Sequence, residues 1–176
     1  MKNKLFLLSI LCAINLSALS LGDTPKEVVL SGENGSLVHD AKPWNTATLK
    51  GNVSVILYMD PDKKSDNEGY MQSLIKFKKE NNLDFTIVAI VNLAATWKPD
   101  FVIEKLLASK QKEFPNIVYV KDKKSFFVKE WGLEDDASNL LILNNNGEVV
   151  FYKSGKLDTI ERQKSFQVIK ELLKKS

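Results

Sequence analysis

Between residues 60 and 68 the chain reads Asp60-Pro61-Asp62-Lys63-Lys64-Ser65-Asp66-Asn67-Glu68, a short stretch rich in carboxylates with one hydroxyl among them. Grouped carboxylates are hard oxygen ligands, so one chemistry this loop offers is binding of a cation such as calcium, and with it metal-assisted hydrolysis. The EF-hand pattern fails, because Lys64 stands where a third oxygen ligand is wanted and no glycine takes the sixth position. A plainer account is that Ser65 and Glu68 have the S-x-x-E form of a capping box, and that acidic residues at a helix start answer the positive end of its dipole. Glu134-Asp135-Asp136 forms a second acidic segment. A serine nucleophile at Ser65 or Ser138 needs a base, and the one histidine, His39, lies well away in sequence. Cys12, the single cysteine, sits in an apolar N-terminal run, where it acts as a small hydrophobe. These residues give no catalytic assignment, and they imply no cofactor or resident metal.

The elements around these residues alternate. Val53 to Tyr58 is a β-branched run bounded by turn residues, which predicts a buried strand feeding the acidic loop. A helix is expected from about Asp66 to Glu80, with Tyr70, Leu74, Ile75 and Phe77 at helical spacing. Phe85 to Leu93 reads as a strand, Asp100 to Phe114 as a helix carrying Phe101, Ile103, Leu106 and Leu107, and Asn116 to Val120 as a strand opened by Pro115. A short helix from about Lys124 to Trp131 should end at Gly132, a residue suited to the left-handed cap. Leu140 to Leu143 and Glu148 to Tyr152 form a hairpin through Asn144-Asn145-Asn146-Gly147. Asp158 with Glu161 makes a second capping box, opening a helix that buries Ile160, Phe166, Ile169, Leu172 and Leu173. Upstream, Glu27 to Leu30 and Leu37 to Val38 flank an Asn34-Gly35 pair and read as a further hairpin. Parallel neighbours need helical crossovers and the late hairpin adds antiparallel strands, so this order calls for a central mixed sheet with helices on both faces. That is a thioredoxin-like α/β arrangement with an N-terminal β-hairpin extension.

The N-terminus sets the expected compartment. Lys2 and Lys4 precede an apolar run from Leu5 to Leu19, followed by small residues at positions a signal peptidase reads. The run is shorter than the roughly 20 apolar residues a spanning helix needs, so residues 1–22 are expected to be a secretory signal and 23–176 a single domain, with no stable membrane anchor after cleavage. The whole chain has 25 basic and 22 acidic residues; removing Lys2 and Lys4 leaves 23 against 22. Such balance gives no clustered positive field, which excludes nucleic acid as the expected partner.

Trp44-Asn45-Thr46-Ala47-Thr48-Leu49-Lys50-Gly51 running into Val53 to Tyr58, Ile87 to Asn92, and the block Trp131 to Ser138 ending in Leu140 to Gly147 together resemble the YtfJ-like group of exported bacterial thioredoxin-fold proteins. The resemblance covers nearly the whole mature chain and implies a periplasmic thioredoxin fold without a redox pair. Matched against redox-active relatives, the two cysteine positions fall about at Asp62 and Ser65, and the cis-proline position about at Ser138, where a trans bond is expected. With no thiolate there is no attacking sulfur for disulfide exchange. Because the loop before the Leu140 strand faces the loop after the Val53 strand in this layout, the two acidic segments are expected to share one surface. Trp44 and Trp131 are expected in the core. Trp97 is either an exposed anchor or a cover over the edge of the core. The preferred reading is a redox-inactive binding or scaffold module for an unknown envelope protein or peptide, using Asp60, Asp62, Ser65, Asp66, Trp97 and Ser138 as its candidate surface. The alternative is a metal-assisted or thiol-independent enzyme working at Asp60 to Asp66.

Overall fold

A computed structural model describes residues 19–174. The expected signal segment up to Ala18, with Cys12, lies outside the described residues. Among the described residues no helix is long and apolar enough to cross a membrane.

Six strands form one sheet in the order β2-β6-β5-β4-β7-β8. They are β2 (Gly35–Leu37), β4 (Ser54–Met59), β5 (Thr86–Asn92), β6 (Val118–Asp122), β7 (Ser138–Leu143) and β8 (Val149–Ser154). β4, β5 and β6 run parallel, while β7, β8 and β2 are added antiparallel to their neighbours. Among the described residues there are four α-helices: α1 (Glu68–Glu80), α2 (Asp100–Glu113), α3 (Phe126–Trp131) and α4 (Thr159–Lys174). The parallel connections pass through α1 and α2, as crossovers must.

Alternation along the strands divides the core into two halves. Val55 and Leu57 of β4, Ala89 and Val91 of β5, and Leu140 and Ile142 of β7 face α1, α2 and α4, meeting Tyr70, Leu74, Ile103, Leu107 and Ile169. The intervening Ile56, Tyr58, Val88, Ile90, Leu141 and Leu143 face α3, meeting Phe127, Trp131, Trp44 and Leu30. Strands covered on both sides have no polar face, which is why β4 and β7 read as continuous apolar runs. Trp44 and Trp131 are core residues, as their surroundings in sequence suggest.

The upstream hairpin is not formed. β1 (Val29–Leu30) pairs instead with β3 (Trp44–Asn45) in a small sheet of its own, and β2 joins the edge of the main sheet beside β6. Gly35 serves that docking rather than a turn: a Cβ built there would lie 1.9 Å from the Lys121 carbonyl oxygen. The Asn144–Gly147 hairpin forms as expected, closed by the Gly147 amide donating to the Asn144 carbonyl at 2.9 Å. Gly132 takes the left-handed cap after α3.

Two apolar assignments change. Ile160 is 74% exposed, because the buried stripe of α4 runs through Ser165, Phe166 and Ile169, and position 160 lies roughly 140° around the helix from 165. On α2, Ile103 and Leu107 are buried while Phe101 and Leu106 are left to solvent.

Candidate functional site

The acidic loop begins where β4 leaves the sheet. Residues Pro61–Asp66 form a 3-10 helix, and its first exposed amide, that of Asp62, donates to Asp60 Oδ1 at 2.7 Å. Asp60 therefore caps this turn from beneath, only 4% exposed. Burial first, then the charges of Asp62 and Asp136, raise its carboxyl above the usual aspartate range, against the lowering effect of the Asp62 amide. Asp62 is opposite in character. Lys98 foremost, then Thr96, whose hydroxyl donates to Oδ2 at 2.8 Å, hold it below that range.

The Ser65–Glu68 capping box is absent. α1 starts at Glu68, and the residue before it, Asn67, makes no side-chain cap to its own helix. Its amide is used elsewhere: Nδ2 donates to Ser138 Oγ at 2.9 Å and to the Gly155 carbonyl at 3.0 Å, and Oδ1 accepts the Leu157 amide at 3.1 Å. A buried amide with its bonds satisfied fixes three chain segments at once, and that outcompetes a local cap. Ser65 is left exposed. At the C-terminal helix the same motif does form, Asp158 and Glu161 exchanging backbone-to-carboxylate bonds at 2.9 and 2.7 Å.

The two acidic segments meet as the topology requires. β7 lies beside β4 with Ser138 opposite Met59, and the Asp60 amide donates to the Ala137 carbonyl at 3.1 Å. Glu134 and Asp135 are nonetheless tied into the structure, Glu134 accepting from Ser154 and Asp135 from Asn92. Among the described residues no three His, Cys, Asp or Glu side chains are grouped so that they could hold a metal ion. A His39–Ser138 couple is excluded by the sheet: His39 follows β2, four strands from β7, roughly 19 Å at ordinary strand spacing. Its neighbour is Asp40, at 3.3 Å.

Of the six candidate surface residues, Asp62, Ser65 and Trp97 are exposed and Asp66 partly so. Ser138 and Asp60 are buried, supporting this surface rather than displaying it. The Asp62–Lys98 ion pair and the Thr96 bond pin the 96–98 loop against the 3-10 helix and bring Trp97 alongside. Trp97 is 86% exposed, with Lys98 Nζ 6.0 Å from its ring centre, so it is no cover for the core. Sequence reading passed over two features here. Asn67 was hidden inside an apparent capping box. A cleft of about 300 Å³ opens beside the loop, between α1 and α2, and its walls come from segments too far apart in sequence to form a motif.

A family model described as "Bacterial protein of unknown function (YtfJ_HI0045)" matches residues 18–172. The chain belongs to this family. A Haemophilus influenzae member is 30% identical over 152 residues, covering 84% of this chain and 79% of its own. The Escherichia coli protein YtfJ is 24% identical over 149 residues, 81% of each chain. Both are described only as uncharacterized. The thioredoxin domain of a thiol-disulfide oxidoreductase from Bacteroides vulgatus superposes with a TM-score of 0.64 over 89% of this chain and 99% of that one, at 11% identity. At that identity the likeness is one of fold: this family has a thioredoxin-like fold.

Proposed function

We propose that the protein is a redox-inactive, thioredoxin-fold binding module of the bacterial periplasm that holds an envelope protein or peptide on the surface formed by Asp62, Ser65, Asp66 and Trp97. One observation carries this reading. At the place where redox relatives present a thiolate, this chain presents an aspartate already neutralised by Lys98, beside a tryptophan 86% exposed. A carboxylate so paired is a poor nucleophile, and an exposed indole of this kind is a typical anchor at protein interfaces. The only cysteine in the sequence, Cys12, falls in the segment read as an export signal, which supports both the compartment and the lack of dithiol chemistry.

The test is capture of envelope proteins by the purified domain, with Trp97→Ala and Asp62→Ala compared separately. Both changes are at exposed positions, so folding should survive and bound partners should drop out. An unchanged set of partners would remove this face from consideration. Reduction of insulin disulfides by the purified protein, or its recovery in the cytoplasmic fraction, would defeat the reading outright.

A further inference from the structure

Two polar groups in the cleft between α1 and α2 are left unused by the fold. The apolar wall comes from Ile103, Leu107 and Phe114 of α2, which recur at helical spacing and share a stripe, with Met71 of α1 opposite. Asp60 and Tyr119 also line the cleft, although the residues are only 4% and 5% exposed. Asp60 uses Oδ1 for the Asp62 amide, and its Oδ2 has no hydrogen-bond partner among the described residues. The Tyr119 hydroxyl has none among them either. Gln111 Oε1 is the only fully sealed side-chain polar atom without a partner among the described residues, so Asp60 Oδ2 and the Tyr119 hydroxyl both reach open space.

Sheet register sets the distance between these two groups. Leu57, Ala89 and Tyr119 lie level across β4, β5 and β6, and Asp60 comes three residues after Leu57. Three residues at about 3.3 Å and two strand spacings of about 4.8 Å put the two backbones roughly 14 Å apart. That is the span of about four residues of extended chain. Gln72 of α1 and Ser109 of α2 add an amide and a hydroxyl at exposed positions of the lining, again without partners among the described residues. The other charges cancel. Lys98 is paired with Asp62 and Lys110 with Glu113, while Lys64 and Glu68 are exposed and opposite in sign. Lys64 and Lys98 share the lining with Asp60 and oppose an ammonium beside it, so the donor that Oδ2 lacks is best an uncharged N–H. A polypeptide backbone supplies uncharged donors and acceptors at every residue, as a lipid tail does not.

We infer that the groove holds an uncharged, apolar peptide segment in extended form, with one backbone N–H donating to Asp60 Oδ2 and a carbonyl accepting from the Tyr119 hydroxyl. Its aliphatic side chains lie against Ile103, Leu107 and Met71. The inference rests on the reading of the protein as a binding module and names the part of the partner that it grips. The groove continues from the Trp97 face, since Lys98 both lines it and pairs with Asp62. Met59 and Met71 adapt to side chains of differing shape, so the site selects apolar character rather than one sequence.

Calorimetric titration of the purified domain with the blocked hexapeptide acetyl-SLALFS-amide tests it, beside decanol and two versions of the peptide with the first leucine replaced by lysine or by glutamate. Saturable one-to-one binding of the uncharged peptide is expected, at least fivefold tighter than either charged version. Tyr119→Phe keeps the ring and removes a hydroxyl that no protein group uses, so it should leave the melting temperature unchanged and weaken the peptide at least threefold. Met71→Trp fills the groove and should weaken it tenfold or more. No saturable binding, equal binding of the three peptides, or indifference of the uncharged peptide to Tyr119→Phe would overturn the inference. Decanol binding that is lost in Met71→Trp, with no peptide binding, would give the groove to a lipid-like guest and overturn it as well. Capture of envelope proteins that depends on Trp97, with no peptide binding, would overturn this inference alone and leave the partner surface standing. Peptide binding without any captured partner would uphold the groove and bring down only the partner surface.

Discussion

On the α3 side of the sheet Phe127 meets Trp131 edge-on at 4.7 Å and Tyr58 at 5.5 Å, with Trp44 beyond at 6.2 Å; on the other side α1 and α2 stand apart over an open groove. The aromatic half is also locked by polar bonds. Asp122, fully buried, accepts the Phe127 amide at 3.2 Å, the Lys124 amide at 3.1 Å and the Tyr58 hydroxyl at 3.3 Å, and the Trp131 indole donates to the Lys26 carbonyl at 2.7 Å. Burial, with the Asp122 charge behind it, keeps the Tyr58 phenol protonated far above its ordinary range. Buried polar locking is thus densest under the short helix, while on the other face α1 and α4 stack Tyr70 and Phe77 on Phe166 and the open volume is confined to the space between α1 and α2.

The contrast is sharpest in large-to-small substitutions. Trp131→Ala removes a buried ring that meets Phe127 edge-on and its hydrogen bond to the Lys26 carbonyl, and should cost about 3–5 kcal/mol in urea unfolding. Asp122→Ala should follow at about 2–3 kcal/mol, because the Lys124 and Phe127 amides and the Tyr58 hydroxyl lose a shared acceptor inside the core. Leu107→Ala, in the wall of the groove, is expected at about 2 kcal/mol, the low end for a buried leucine, since much of the surrounding space already exists. If Leu107→Ala cost as much as Trp131→Ala, the groove would be packed space and the comparison would collapse.

A smaller, pH-dependent effect separates the loop from both halves. Because the folded Asp60 pKa is raised, its ionisation opposes folding: no penalty exists below the unfolded pKa, the penalty grows as pH rises toward the folded pKa, and it is complete above that. Asp60→Asn keeps an oxygen to accept the Asp62 amide and cannot ionise. It should melt slightly higher than the parent chain at pH 7 and no higher at pH 3. A gain that persisted at pH 3 would point to packing rather than charge.

How much of this was legible in the sequence depended on whether a signal was local. Asp158 and Glu161 cap α4 as their spacing suggests, since nothing else competes for those side chains. Ser65 and Glu68, with the same spacing, do not, because Asn67 between them is claimed by β7 and by the chain leading into α4. Asn144 to Gly147 behaved as a hairpin turn. Asn34-Gly35 carried the same letters for a different reason, the close approach of β2 to β6. The meeting of the two acidic segments followed from topology alone. The groove did not, since Met71, Leu107 and Tyr119 become neighbours only when three elements have packed, and the apolar spacing on α2 looks the same whether a helix covers a sheet or stops short of it.

The placement of the three tryptophans gives the protein an internal optical gauge. Two indoles are sealed in the interior and shielded from iodide, while the third stands 86% open at position 97, beside the lysine that borders the groove. Quenchable emission therefore originates at one place, and a guest or partner settling there would dim or shift that component without any label being attached.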